Sequence, residues 1–123
     1  MRGVRGAITV EENTEKAVSE AARELVQAML QANDIDTEDI GAAIFSATED
    51  ITAAFPAKGA RELPGFDMVP LFDARQMDVD GALDMCIRVL LLVDSPKKQK
   101  EIRHIYLGNA HILRPDLKNQ SFA

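Results

Sequence analysis

Cys86-Ile87-Arg88-Val89-Leu90-Leu91-Leu92-Val93 is a nearly unbroken apolar run with one arginine inside it. Its length is that of a strand, and apolar character at both parities predicts a strand buried on both faces. Such a strand belongs in the middle of a sheet. Arg88 shares a face with Leu90 and Leu92. A cation there is costly unless a carboxylate or an anionic ligand meets it. Asp73 and Asp84 are the candidate internal partners.

The remaining segments supply the rest of a sheet. Val4 to Val10 reads as a strand with Val4, Gly6, Ile8 and Val10 on one face and Arg5, Ala7 and Thr9 on the other. Val18, Ala22, Leu25, Val26 and Met29 form a helical stripe, with Asn13 or Thr14 as N-cap and Asn33 as C-cap. Asp36 to Asp39 turns into a second strand, Ala42 to Ser46. Ile51 to Glu62 predicts a short helix interrupted by Pro56 and Gly59. Pro64-Gly65 marks a turn, and Met68 to Phe72 predicts a third strand, at an edge or a bulge because of Pro70. Asp73 to Gly81 reads as a loop. Ser95 to Lys100 predicts a short basic helical turn. Arg103 to Leu113 is strand-like, unless Gly108-Asn109 is a hairpin turn.

The expected fold is therefore α/β (α+β): a single mixed sheet with one long and one short helix. One long helix cannot cover both sheet faces, so the other face should pack on another copy of the chain. The 123 residues suffice for one domain, read as 1–117 with a flexible tail at 118–123.

Charge narrows the partners. The net charge is −6, with no Trp and one Tyr. A nucleic-acid binder needs a basic footprint and stacking aromatics, so that class is disfavoured. Between Glu11 and Asp50 stand 11 acidic residues against Lys16 and Arg23; elsewhere 12 basic residues outnumber 9 acidic ones. A small anion would thus sit outside the first helical region. No apolar run approaches the roughly 18 residues that span a membrane, and no secretory signal is evident after Met1. With one cysteine, Cys86, the chain makes no internal disulfide. These features predict a cytoplasmic protein.

Phosphate-binding glycine loops, nucleophile elbows and CxxC pairs are absent from the sequence. His104 and His111 fall on opposite faces of an uninterrupted strand, a poor metal pair and more simply structural or surface residues. Cys86 reads as a core thiol. Asn119-Gln120-Ser121 matches a glycosylation sequon without consequence in the cytoplasm. What remains are cations in awkward places. Arg5 lies among glycines that permit close approach, or else is a surface Arg at a strand edge. Lys58 and Arg61 share i, i+3 helical spacing, either in a site or on a solvated face. Arg114 is held extended before Pro115. Tyr106 offers one hydroxyl. Guanidiniums bind carboxylates through a planar fork, so this set suggests a site for a small polyanion. Its chemistry would rest on positioning and charge stabilisation.

The segments Arg2-Gly3-Val4-Arg5-Gly6-Ala7, Phe55-Pro56-Ala57-Lys58 with Arg61-Glu62-Leu63, Met77-Asp78-Val79 with Gly81, Cys86-Ile87-Arg88-Val89, and Ile102 to Leu107 with Leu113 to Leu117 resemble the AroH class of chorismate mutases. The resemblance implies a homotrimeric pseudo-α/β-barrel with active sites between subunits. It also implies the rearrangement of chorismate to prephenate, a step towards phenylalanine and tyrosine, with no cofactor or metal. By resemblance, Arg5, Arg88 and Tyr106 are substrate-binding and catalytic. Phe55, Ala57, Lys58, Arg61, Leu71, Phe72, Leu113 and Arg114 line the cleft or its entrance, and the tail from Lys118 closes over it.

One departure stands out. The family usually has Glu where this chain has Gln76, and often Cys where this chain has Asp73. Asp73 is therefore expected to supply the missing carboxylate, with Gln76 keeping a neutral hydrogen bond. The rival readings are an enamine/imine deaminase on a similar trimeric fold, and a non-catalytic sensor of chorismate or prephenate.

Overall fold

The computed structural model describes residues 1–113; Arg114, the tail and the sequon lie outside the described residues. Five strands form one sheet: β1 (Arg2–Thr9), β2 (Ile40–Ala47), β3 (Leu71–Arg75), β4 (Cys86–Val93) and β5 (Ile105–Leu107). Their spatial order is β3-β2-β4-β1-β5. The apolar run is the central strand β4, antiparallel to both β1 and β2. The outer pairs, β2 with β3 and β1 with β5, are parallel, so the sheet is mixed.

Two helices, α1 (Glu15–Ala32) and α2 (Pro56–Arg61), complete the fold. Thr14 starts α1: its extended backbone frees Oγ1 to accept from the Ala17 N–H at 3.1 Å, a cap worth about 1 kcal/mol. The expected stripe Val18, Ala22, Leu25, Val26 and Met29 is fully buried. It packs with Val4, Ile8, Phe45, Ile87, Val89 and Leu91 in one core, each large aliphatic contributing about 1.5–3 kcal/mol by burial. Gly6 permits this approach, because a Cβ there would stand 2.5 Å from the Met29 sulfur. Asn33 caps α1 and holds the strand entry beyond it: Nδ2 donates to the Met29 and Arg103 carbonyls, and Oδ1 accepts from the Arg103 N–H.

Burial along β4 alternates. Ile87, Val89, Leu91 and Val93 are buried, whereas Arg88, Leu90 and Leu92 are half-buried. The expectation of two covered faces thus fails along most of β4 within one chain, because the main core packs on one face and only a small cluster of Ala7, Cys86, Tyr106 and Ala110 covers one end of the other. The other face presents Arg5, Ile44, Ser46, Phe72, Arg88, Leu90 and Leu92, and Phe72 is 64% exposed.

Several local expectations need correction. Pro56 and Gly59 do not interrupt α2: Pro56 occupies its first turn, where its missing N–H is no loss, and Gly59 lies where a Cβ would strike the Ser19 carbonyl. The third strand is Leu71–Arg75, three residues later than expected, with Phe66–Met68 in a 3-10 turn and the Pro70 carbonyl accepting from the Ala43 N–H. Asp73 is therefore in a strand and not in a loop. The expected long final strand is only Ile105–Leu107. Gly108, with φ +60°, turns the chain into a 3-10 segment ending at Leu113, and Thr9 Oγ1 accepts the Asn109 N–H at 3.0 Å. The expected basic helical turn shrinks to a 3-10 turn at Gln99–Glu101.

Candidate active site

Strand register gathers the first group of site residues. Ala7 of β1 is opposite Arg88 of β4 on one side and Tyr106 of β5 on the other. Arg5, two residues before Ala7, shares their face. With Ile44, Ser46 and Leu90 they line a cleft of about 170 Å³ on the open side of the sheet. Among the described residues, the buried side-chain polar atoms without a hydrogen-bond partner are Arg88 Nε, Tyr106 Oη and Gln76 Oε1. A buried polar group left unpaired costs about 1–3 kcal/mol. Two of them, Arg88 Nε and Tyr106 Oη, belong to residues lining this cleft, and such orphaned groups call for an explanation that a bound ligand could give.

Arg88 forms no ion pair with Asp73 or Asp84, which corrects that expectation. The ion pairs among the described residues are Arg23–Glu62 at 2.9 Å and Lys58–Glu15 at 2.7 Å. Sheet register explains the miss for Asp73. Asp73 stands opposite Phe45, and Phe45 opposite Val89, both core residues; Arg88 stands opposite Ser46 on the other face. What lies beside Arg88 is the Cys86 thiol, which burial pushes above its ordinary range while the guanidinium pulls it down.

Arg5 is exposed, and its backbone N–H donates to His104 Nδ1 at 2.9 Å. β5 pairs with β1 only along Gly6 to Ile8, so the imidazole satisfies the next amide in place of a strand. His104 thus carries its proton on Nε2 in this arrangement. His111 stays local, with Nδ1 3.1 Å from the Gly108 carbonyl.

A second group lines a separate cleft of about 630 Å³, which includes Phe55, Lys58, Asp73 and Arg75 and shares no lining residue with the first. Phe55 precedes α2 and is 72% exposed. The Lys58 ammonium holds the Glu15 carboxyl below its ordinary range by hydrogen bond and charge. Asp73 Oδ1 accepts from the Ala57 N–H at 3.1 Å. Burial raises the Asp73 carboxyl above its ordinary value, opposed by that N–H and by the Arg61 charge. Ala57 is 3% exposed, so its amide, already engaged, is what it offers. Arg61 is exposed on α2, and Leu71 and Phe72 lie on β3.

Gln76 follows β3, its N–H donating to the Ala47 carbonyl at 3.0 Å. It lines a small cleft of about 100 Å³ between the 48–50 and 76–84 loops. Leu113 ends the last 3-10 segment. Sequence reasoning overlooked Ser46, Glu15 and Arg75. Ser46 faces Arg88 by strand pairing, and Glu15 meets Lys58 across 43 positions of sequence; neither relation has a local signal.

A sheet with helices on one face, and on the other a cationic cleft with orphaned donors, is an arrangement suited to holding a small anion by preorganised groups. The profile of the chorismate mutase type I family matches residues 1–117, and the chain belongs to that family. It is 50% identical over 120 residues to chorismate mutase AroH of Thermus thermophilus, covering 97% of this chain and 98% of that protein. It is 43% identical over 117 residues to chorismate mutase AroH of Bacillus subtilis, covering 95% and 92%. A solved chorismate mutase from Clostridium thermocellum superposes with a TM-score of 0.88 at 37% identity, over 91% of this chain and 99% of that one. Among the described residues no helix is long and apolar enough to cross a membrane.

Proposed function

We propose that this chain is a chorismate mutase: it rearranges chorismate to prephenate without a cofactor, on the path to phenylalanine and tyrosine. The observation that carries the reading is the convergence of Arg88 Nε and Tyr106 Oη, both buried and unpartnered, beside Arg5 in one cleft. Family membership leaves the deaminase reading without support.

The reaction breaks a C–O bond and forms a C–C bond within one molecule, so no nucleophile is needed. Negative charge grows on the ether oxygen as the bond breaks. Arg88 stabilises that charge more than it stabilises the ground state, which is the requirement for rate enhancement. Arg5 and Tyr106 bind the side-chain carboxylate and hold the compact conformer in which the reacting carbons meet. Gln76 offers a neutral hydrogen bond in place of the family's usual carboxylate.

We assign the second half of the site to a neighbouring subunit of a homotrimer. Two observations support this. The open sheet face carries half-exposed Ile44, Leu90 and Leu92, an apolar surface suited to self-association. The Phe55–Lys58 cleft and the Arg5–Arg88–Tyr106 cleft are separate within one chain. Trimerisation brings Phe55, Lys58, Arg61 and Phe72 of one subunit to the arginines of the next.

The test is consumption of chorismate by purified protein, with prephenate identified as product and Arg88→Ala assayed alongside. Turnover that falls at least about a hundredfold in the variant supports the assignment. A folded wild-type trimer that binds prephenate without turnover would establish a sensor instead.

A further inference from the structure

We propose that Asp73 is a positioning residue: its carboxylate caps a helix that cannot cap itself, and so sets where α2 presents Phe55, Lys58 and Arg61. The inference rests on the reading of the site given above. It replaces the expectation that Asp73 stands in for the carboxylate missing at Gln76.

α2 is six residues long, and its N-cap residue is Phe55, whose side chain makes no capping hydrogen bond. Pro56 has no N–H to lose, so the first amide in need of an acceptor is that of Ala57. Ala57 is buried and water cannot serve it. Asp73 Oδ1 reaches it across 16 residues of sequence. A tertiary cap thus replaces the local one, and it joins β3 to α2. That junction matters because each side carries site residues: Leu71 and Phe72 flank Asp73 on β3, while Phe55, Lys58 and Arg61 belong to α2 and its lead-in.

Geometry also argues against direct action on the same chain's Arg88. Asp73 lies on the core face of the sheet and Arg88 on the open face, with β2 between them. One Asp73 oxygen is already committed to the Ala57 amide.

The two roles predict different variants. Asparagine keeps the acceptor and loses the charge; alanine loses both. Asp73→Asn should keep the ordered α2 and a KM several-fold below that of Asp73→Ala. Asp73→Ala should raise KM about tenfold with kcat within threefold, the scale set by loss of one cap. Amide hydrogen exchange at Ala57, followed by NMR, should be slow in wild type and Asp73→Asn and at least about tenfold faster in Asp73→Ala. The exchange readout needs no substrate, so it stands even if chorismate proves not to be turned over. If Asp73→Ala does not fold, Asp73→Asn still decides. A collapse of kcat in Asp73→Asn, with recovery on adding Gln76→Glu, would overturn the proposal and return Asp73 to the reacting atoms.

Discussion

Arg88 and Tyr106 come from strands separated by β1, and each stands opposite Ala7, the smallest side chain available between them. Ala7 is 1% exposed and packs with Cys86, Tyr106 and Ala110. The two polar heads are therefore brought together over a methyl group, each with a buried atom awaiting a partner.

Tyr106→Phe removes one of those waiting atoms. Deleting an unsatisfied buried hydroxyl should leave stability unchanged, or raise it by up to about 1 kcal/mol, whereas losing a bond to an anionic substrate should raise KM about tenfold. Denaturant midpoint and steady-state kinetics together check this. A variant both less stable and fully active would show that the hydroxyl has a structural partner and no ligand.

Ala7→Val tests the spacing. Extra methyl groups between Arg88 and Tyr106 force them apart, and overpacking costs about 1–3 kcal/mol. The expected result is a folded protein with a lower Tm and kcat/KM reduced at least about tenfold. Unaltered kinetics would mean that the two heads do not act on one ligand.

Leu92→Glu tests the shared cleft. Leu92 is half-buried on the open sheet face, away from the core, so the chain should still fold. A charge there should prevent association. Sedimentation equilibrium should show monomer, and activity should disappear with the trimer. A fully active monomer would sink the two-subunit site.

The pH dependence of stability follows from Asp73. Its carboxyl is raised, chiefly by burial, against the Ala57 N–H and the Arg61 charge. Between its unfolded and folded values the native state holds more protons than the unfolded one. Stability contributed by this group is therefore greatest below the ordinary Asp value and falls as pH rises through the raised value. Asp73→Asn removes the slope. Across this window wild type should lose stability relative to Asp73→Asn as pH increases, read as the difference in Tm. The opposite slope would show that capping and Arg61 outweigh burial.

Local signals made much of the fold legible. Thr14 as a cap, the α1 stripe, the two faces of β1 and the length of β4 each depend on residues a few positions apart, and each stands as expected. The site was legible as a set of residue types: cations inside apolar strands have few explanations, and the ordered blocks around Arg5, Lys58, Arg88 and Tyr106 carried the family. Asp73 shows where this ended. From sequence it was a loop carboxylate free to meet Arg88; in the fold it is a strand residue facing the core.

The difference is physical. Periodicity determines which side chains share a face of their own element, because 3.6-residue and 2-residue repeats are properties of the local backbone. It does not determine which strands become neighbours or in what register. Those depend on hydrogen bonds and burial summed over distant segments, and a slip of one residue moves every side chain to the other face. So the sequence by itself determined that this chain would carry arginines within its strands and a family's chemistry. The tertiary structure alone decided that Ala7 would stand between Arg88 and Tyr106, and that Asp73 would meet the Ala57 amide from the opposite face of the same sheet.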